Sequence, residues 1–395
     1  MGLVFHCLQG CGTLSENISM VTGKRMAKSS VAQRRQNLPW EIFTSIMMAA
    51  LRPKANEEKH PQAFYKGWRL VAIDGTQFSL SNTPQILSSL TKAASRRMKA
   101  AFAKLGVVLL VELGTQHPLA AAIGRDGDSE QSLSKELLEA LPENCLLIAD
   151  RLYGVGAFLV LLAEAFMKRP GHFLVRVKSN LKPRLIEALR DGSVLVEIRP
   201  HKGNKKLAAR EIRGRVRRPQ GKWVEVRFWT SLLDGKLYPA KELLALYARR
   251  WEQEIMYKQI KVDMRQAELL RSQTVETAAQ EVAALILAHA ILAEQRIGVA
   301  DLSQGEVLRV SFGKTLTMVR SLWVTLAAAG DLLSPEQVTA MTNQVMLFIA
   351  KVALPPRRKR SCPRAVRQPI GSWPRLTKNT YSIGATEYEL TKIPA

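Results

Sequence analysis

Apolar positions change their spacing along the chain. In residues 29–51, Ile42, Phe43, Ile46 and Met47 recur at helical intervals behind Ser29 and Ser30, which can cap, with Arg34 and Arg35 on one side; the spacing predicts a helix. From Trp68 the pattern becomes short apolar runs at residues 70–73, 105–113, 118–123 and 145–149, each of strand length. Residues 129–141, between the third and fourth runs, return to helical period. Strands followed by a strand–helix–strand alternation predict an α/β core.

A further strand over 173–177 leads into residues 181–233. Alternating segments there, such as 194–198 and 223–229, are separated by Gly, Pro and basic clusters. This β-rich stretch has the look of an insertion, because helices resume after it. Pro239 opens a long helix to about Val262, at a position where its missing N–H costs nothing. Two more apolar helices are expected over 278–295 and 315–329, and then a basic, Pro-containing tail from Pro355. The chain is thereby expected to divide into a helical N-terminal region (1–65), the first part of the core (66–180), the β-rich insertion (181–235), the second part of the core (236–335) and a helical, basic C-terminal tail (336–395).

Charge sets the partner class. Lys and Arg number 58 against 34 Asp and Glu, for a net +24 at 47% hydrophobic content, which describes a folded chain with a strong positive field and favours polyanions. Four cysteines are too few for a disulfide framework and fit a reducing, cytoplasmic compartment. The start lacks the basic region of a signal peptide. The longest apolar stretch, 282–292, contains His289 and is too short to span a bilayer, so a soluble protein without membrane association is expected.

Asp74 ends the run Leu70-Val71-Ala72-Ile73, and Asp150 ends Leu146-Leu147-Ile148-Ala149. Each carboxylate is expected at the exit of a buried strand, where open α/β sheets hold ligands. A single such aspartate is more often a cap or a turn residue; two on neighbouring strands would repel unless a cation lay between them. On the long helix, Tyr247, Arg250, Glu254 and Lys261 fall within an arc of ~60° at ~100° per residue, bordered by an apolar stripe of Leu244, Trp251, Ile255 and Val262. A carboxylate between two cations suits metal and phosphate. It equally describes an ordinary amphipathic helix in which Arg250 and Lys258 pair with Glu254.

The spacing Tyr-x2-Arg-x3-Glu-x6-Lys at Tyr247, Arg250, Glu254 and Lys261 resembles the signature of the insertion-sequence-four family of bacterial DDE transposases. Ala72-Ile73-Asp74-Gly75-Thr76 and Ala149-Asp150-Arg151-Leu152-Tyr153-Gly154 resemble the family's two aspartate motifs. Phe173 to Lys178 and Thr230 to Asp234 resemble the flanks of its β insertion, and Cys362-Pro363-Arg364 with Trp373-Pro374 its tail. The ordered set spans most of the chain. It implies an RNase H-like (retroviral-integrase-like) catalytic core interrupted by a β-rich insertion between Asp150 and Glu254, with a helical N-terminal region (1–65) that binds DNA and a helical, basic C-terminal region.

The resemblance implies further that Asp74, Asp150 and Glu254 are catalytic and hold two Mg²⁺ ions, which Mn²⁺ can replace. It implies that Tyr247, Arg250, Lys261, Arg151 and Tyr153 contact DNA. The expected partners are double-stranded DNA, both transposon terminal inverted repeats and target, and a second copy of the chain in a synaptic homodimer; the expected location is the bacterial cytoplasm, at the nucleoid. In some relatives a tryptophan of the insertion helps hold a flipped base, and Trp223 and Trp229 both qualify here. The region before Asp74 is short for the family. The alternatives are a metal-dependent nuclease without strand transfer, an inactive or domesticated DNA-binding derivative, and a structural RNA-binding protein. Neither derivative nor RNA binder needs all three carboxylates.

Overall fold

A computed structural model describes all residues except 94–99, 200–204, 218–222, 266, 330–331, 353, 355–359, 362–381, 384–387 and 392–395. The motifs at 362–364 and 373–374 and most of the basic tail lie outside the described residues. The chain forms two compact units, one of residues 1–145 and 250–354, the other of residues 146–249 and 355–395. Both helices and sheet are present in quantity, so the architecture is mixed α/β as the apolar spacing predicts.

The first unit begins with four helices, Gly2–Gln9, Leu14–Thr22, Lys28–Gln36 and Trp40–Ala50. The single helix expected over 29–51 is therefore two. Pro39 divides them, because its ring disfavours helical geometry at the residue before it. Of the four positions that predicted this helix, Phe43 and Met47 are buried while Ile42 and Ile46 face outward.

Strands β1 (Phe64–Tyr65), β2 (Trp68–Ser79), β3 (Lys104–Glu112) and β4 (His117–Gly124) pair antiparallel in sequence order. Leu70, Val71, Ala72 and Ile73 are wholly buried, which accounts for the unbroken apolar run. The strand does not stop there. β2 continues through Asp74, opposite Leu109, to Ser79, so Asp74 sits mid-strand and the expected strand exit is corrected. The next five residues keep pairing because β3 runs beside them.

Against this sheet packs the helix Val275–Ser303, 29 residues long and capped by Thr274, whose side chain accepts the Thr277 N–H. It is longer than the stretch expected over 278–295. By length and composition it could cross a membrane, but 78% of its apolar window is buried inside the protein. It is hydrophobic on all sides because it runs through the core, where Val282, Ala283, Leu285, Ile286 and Leu292 meet Leu105, Val107 and Leu109 of β3.

The second unit carries β5 (Cys145–Ala149, shared at its first residue with the other unit), β6 (Gly171–Arg176), β7 (Arg184–Ala188), β8 (Val194–Ile198), β9 (Leu207–Arg217) and β10 (Trp223–Thr230), in the order β5-β6-β10-β9-β8-β7. The segment Tyr388–Leu390 adds to β9. Arg210 is fully buried here; it bonds Ser193 and Asp191 and the carbonyls of Leu232 and Tyr238. Within the basic stretch 181–233, then, Arg210 is a structural tie.

Candidate active site

Two carboxylates of the first unit, distant in sequence, share one cation. Arg250 donates from Nη1 to Asp74 Oδ2 at 2.9 Å and from Nη2 to Glu254 Oε1. All three side chains are largely buried, 14% exposed for Arg250 and 17% for each acid. The Arg250–Glu254 pair is the i, i+4 contact of an ordinary helix, but its extension to Asp74 is not, and Lys258 pairs with Asp263 instead.

Local structure explains how these groups are held. Tyr257 donates its hydroxyl to the Asp74 carbonyl at 2.5 Å, and Gln253 reaches from the next turn to the Leu109 carbonyl at 3.0 Å and the Tyr257 hydroxyl at 3.3 Å. Burial, and then the Asp74 charge, push the Tyr257 phenol well above its ordinary pKa, so it stays a donor. Glu252 accepts the Gly114 N–H at 2.6 Å. The helix therefore turns Glu252, Gln253, Met256, Tyr257 and Ile260 inward. The expected apolar stripe fails beyond Leu244: Trp251 is 45% exposed and Val262 61%.

The reason is that the helix is not continuous. Residues Ala240–Leu246 are α-helical, Tyr247–Arg250 form a 3₁₀ turn, Trp251–Lys258 are α-helical again, and Gln259–Asp263 form a π turn. Each change of pitch shifts the phase that a uniform ~100° step assumes. Lys261, on the π turn, donates to the Thr76 hydroxyl and, at 2.7 Å, to the Gln77 carbonyl, two and three residues beyond Asp74 on β2.

One acid at this site escaped the sequence analysis. Glu130, the first residue of a helix capped by Ser129, lies so close over Gly75 that a Cβ there would stand 2.1 Å from its Cδ. The available signals were the glycine after Asp74 and the cap before Glu130. Neither connects the two residues, because the proximity is tertiary.

Asp150, Arg151, Tyr153 and Tyr247 belong to the second unit. Asp150 follows β5 directly, as expected, and its Oδ1 accepts the Leu152 N–H at 2.6 Å. Gly154 is demanded by packing: a Cβ would meet the Arg176 carbonyl at 2.4 Å. Tyr153 is fully buried with its ring against Phe158. Arg151 instead lines an open groove of about 410 Å³ with Arg176, Arg213 and Arg227. Tyr247 packs on Phe228 at 4.5 Å. Of the two tryptophans, Trp229 is buried and donates to Glu211 at 2.7 Å, whereas Trp223 is partly exposed beside Arg215.

Among the described residues, no three His, Cys, Asp or Glu side chains are drawn together as a ready-made metal cage. Comparison with known proteins gives the family. The sequence profile described as "Transposase DDE domain" matches residues 66–291. The chain belongs to that transposase family.

A curated relative, the transposase InsG of insertion sequence element IS4 from Escherichia coli (strain K12), is 27% identical over 372 residues, covering 92% of this chain and 82% of its own. The putative transposase InsZ of the same organism is 25% identical over 163 residues, covering 41% of this chain and 54% of its own. Among solved structures, a piggyBac transposase synaptic complex with hairpin DNA aligns at 12% identity and TM-score 0.46, over 89% of this chain and 74% of that one. This DDE transposase, similar to that of IS4, is an enzyme of DNA transposition.

Proposed function

We propose that this transposase nicks the ends of its element and joins them to target DNA, with Asp74, Asp150 and Glu254 holding two divalent metal ions. The fold proposed for this work is an RNase H-like core that a β-rich insertion over 181–235 interrupts. The observation that carries the proposal is the convergence of Asp74 and Glu254 on the Arg250 guanidinium. Two carboxylates that already share a cationic partner have the hard oxygen chemistry that Mg²⁺ or Mn²⁺ requires. When bound, such ions supply Lewis-acid activation of the attacking and leaving oxygens of a phosphodiester.

The chain's own residues do the rest. Tyr257, by anchoring the Asp74 carbonyl, fixes the strand position from which the carboxylate projects. Arg250, once released from the carboxylates, becomes a charge-assisted donor to phosphate, and Lys261 holds a second phosphate beside it. Tyr247 orients the DNA backbone, and Arg151 extends phosphate contact along the arginine groove of its own unit. The partners are duplex DNA, as terminal repeats and as target, and a second copy of the chain in the synaptic complex, acting in the cytoplasm at the nucleoid.

The test supplies purified protein with donor ends, intact target DNA and Mg²⁺. Joined product that disappears on chelation is expected. Metal-dependent cleavage with no joined product would replace the proposal by a nuclease.

A further inference from the structure

The π turn that carries Lys261 is held by a buried polar relay with a fixed direction. Its defining bond runs from the Met264 N–H to the Gln259 carbonyl, five residues back, at 2.9 Å. A π turn accommodates one residue more than an α turn and is poorly stable unless something outside the helix supports it. Here the support comes from the Gln259 side chain itself, only 5% exposed. Its amide Nε2 donates to Gln116 Oε1 at 3.2 Å, and its Oε1 meets His289 Nε2 at 2.9 Å.

Arg296 settles the polarity. Its guanidinium can only donate, and Nη1 lies 3.0 Å from the Gln116 side chain, so that atom is the Gln116 oxygen. Gln259 must then offer its NH2 to the same oxygen and turn its own oxygen to His289. His289 must carry its proton on Nε2. Burial, and then the Arg296 charge, depress the His289 pKa to about 3, so the ring is neutral and a single tautomer suffices.

The other end of Gln116 donates to the Glu252 carbonyl at 2.9 Å. Gln116 thus bridges two turns of the helix, one before Glu254 and one after it. Gln116, His289 and Arg296 are each at most 2% exposed, so a lost bond cannot be replaced by solvent.

We infer that Gln259 is a positioning residue of the transposase: oriented by Gln116, Arg296 and His289, it holds open the π turn that sets the Lys261 ammonium at Thr76 and Gln77, beside Asp74. The inference rests on Lys261 acting as a phosphate clamp. Gln259 touches no substrate and acts only through the turn.

The experiment combines Gln259→Leu, which keeps bulk and removes both bonds, with Lys261→Ala in a double-mutant cycle read by single-turnover nicking of pre-bound element ends. Each single change is expected to slow nicking about tenfold, and Lys261→Ala is expected to add less than about twofold in the Gln259→Leu background. Independent, multiplying losses would overturn the inference. Hydrogen exchange at the Met264 amide gives a readout separate from activity: it is expected to accelerate in Gln259→Leu by more than the fall in global stability accounts for, and exchange that changes only as far as global stability does would overturn the inference. Should Lys261→Ala alone prove harmless, the clamp role falls, while the exchange result still decides whether Gln259 holds the turn. If Gln259→Leu does not fold, His289 replaces it: His289→Leu is expected to reproduce the tenfold loss and His289→Gln, which retains a donor, to recover most of it. Equal behaviour of those two variants would refute the relay.

Discussion

Replacing Arg250 by Gln removes the cation that Asp74 and Glu254 share, and the structure sets the size of the effect. Charge centres ~4 Å apart at an effective dielectric of ~20 attract by about 4 kcal/mol per pair. Desolvation of three charges offsets much of this. Exposed pairs net only about 0–1 kcal/mol, whereas breaking a buried pair costs about 3–5 kcal/mol. With side chains 14% and 17% exposed, this trio lies between, and Arg250→Gln should destabilise its unit by about 2 kcal/mol. At ~2–4 °C per kcal/mol for a unit of this size, the melting temperature should fall by ~4–8 °C. Much of that deficit is repulsion between two carboxylates left facing each other, so a divalent ion should relieve it. In a thermal melt titrated with Mg²⁺, the variant should be stabilised more than the wild type, in which the ion competes with Arg250. An unchanged melting temperature would show that the pairs contribute nothing net. A Mg²⁺ response no larger than that of the wild type would refute the idea that Asp74 and Glu254 form a cation site.

Three further expectations rest on other contacts. Gly75→Ala places a Cβ against the Glu130 carboxyl and should slow nicking, and Glu130→Ala in the same chain should restore the rate; a double variant as slow as the single would mean that the glycine matters for another reason. His289, with its folded pKa lowered from 6.5 to about 3, binds its proton more readily in the unfolded chain, so stability is full above about pH 6.5 and declines as pH falls toward 3; His289→Gln should flatten that slope in denaturant titrations, and an unaltered slope would show that His289 does not cause it. Lys261→Ala should lower single-turnover nicking partially, because one charge-assisted contact is worth about 1.5–3 kcal/mol, while Glu254→Gln should lower it far more and resist rescue by excess Mg²⁺. Equal loss in the two, both folded, would give the lysine a direct part in the chemistry.

What the residues announced and what they hid follow from locality. Strands β5 and β8 coincide with their expected segments, and the Asp150 turn follows its strand as expected, because the unbroken burial of β5, the alternation along β8 and a turn are local properties. The continuation of β2 past Asp74 was not legible: residues 75–79 carry a single buried apolar side chain, Phe78, among small or polar ones, and pairing with β3 decides the matter. The phase of the Glu254 helix departs from a uniform step because its pitch changes at a 3₁₀ turn and at a π turn, the latter tied to Gln116 and His289, far from it in sequence. Tyr153 carries a polar tip suited to DNA, yet its ring is buried against Phe158, which only the tertiary structure reveals. The Tyr-x2-Arg-x3-Glu-x6-Lys spacing survived this distortion: Arg250, Glu254 and Lys261 each meet β2 or one another. Glu130 left no trace, since its approach to Gly75 joins elements whose packing no spacing records.

The carboxylate assignment is tested most directly by single-turnover cleavage of pre-bound element ends in Mg²⁺ by Asp74→Ala, Asp150→Ala and Glu254→Ala, with DNA binding measured in parallel by gel shift. Each change removes a proposed metal ligand and leaves the arginine and lysine contacts in place. Cleavage is predicted to fall by ~10³-fold or more in all three, with affinity for the ends held within about threefold of wild type. Near-wild-type cleavage by any one of them would contradict the triad.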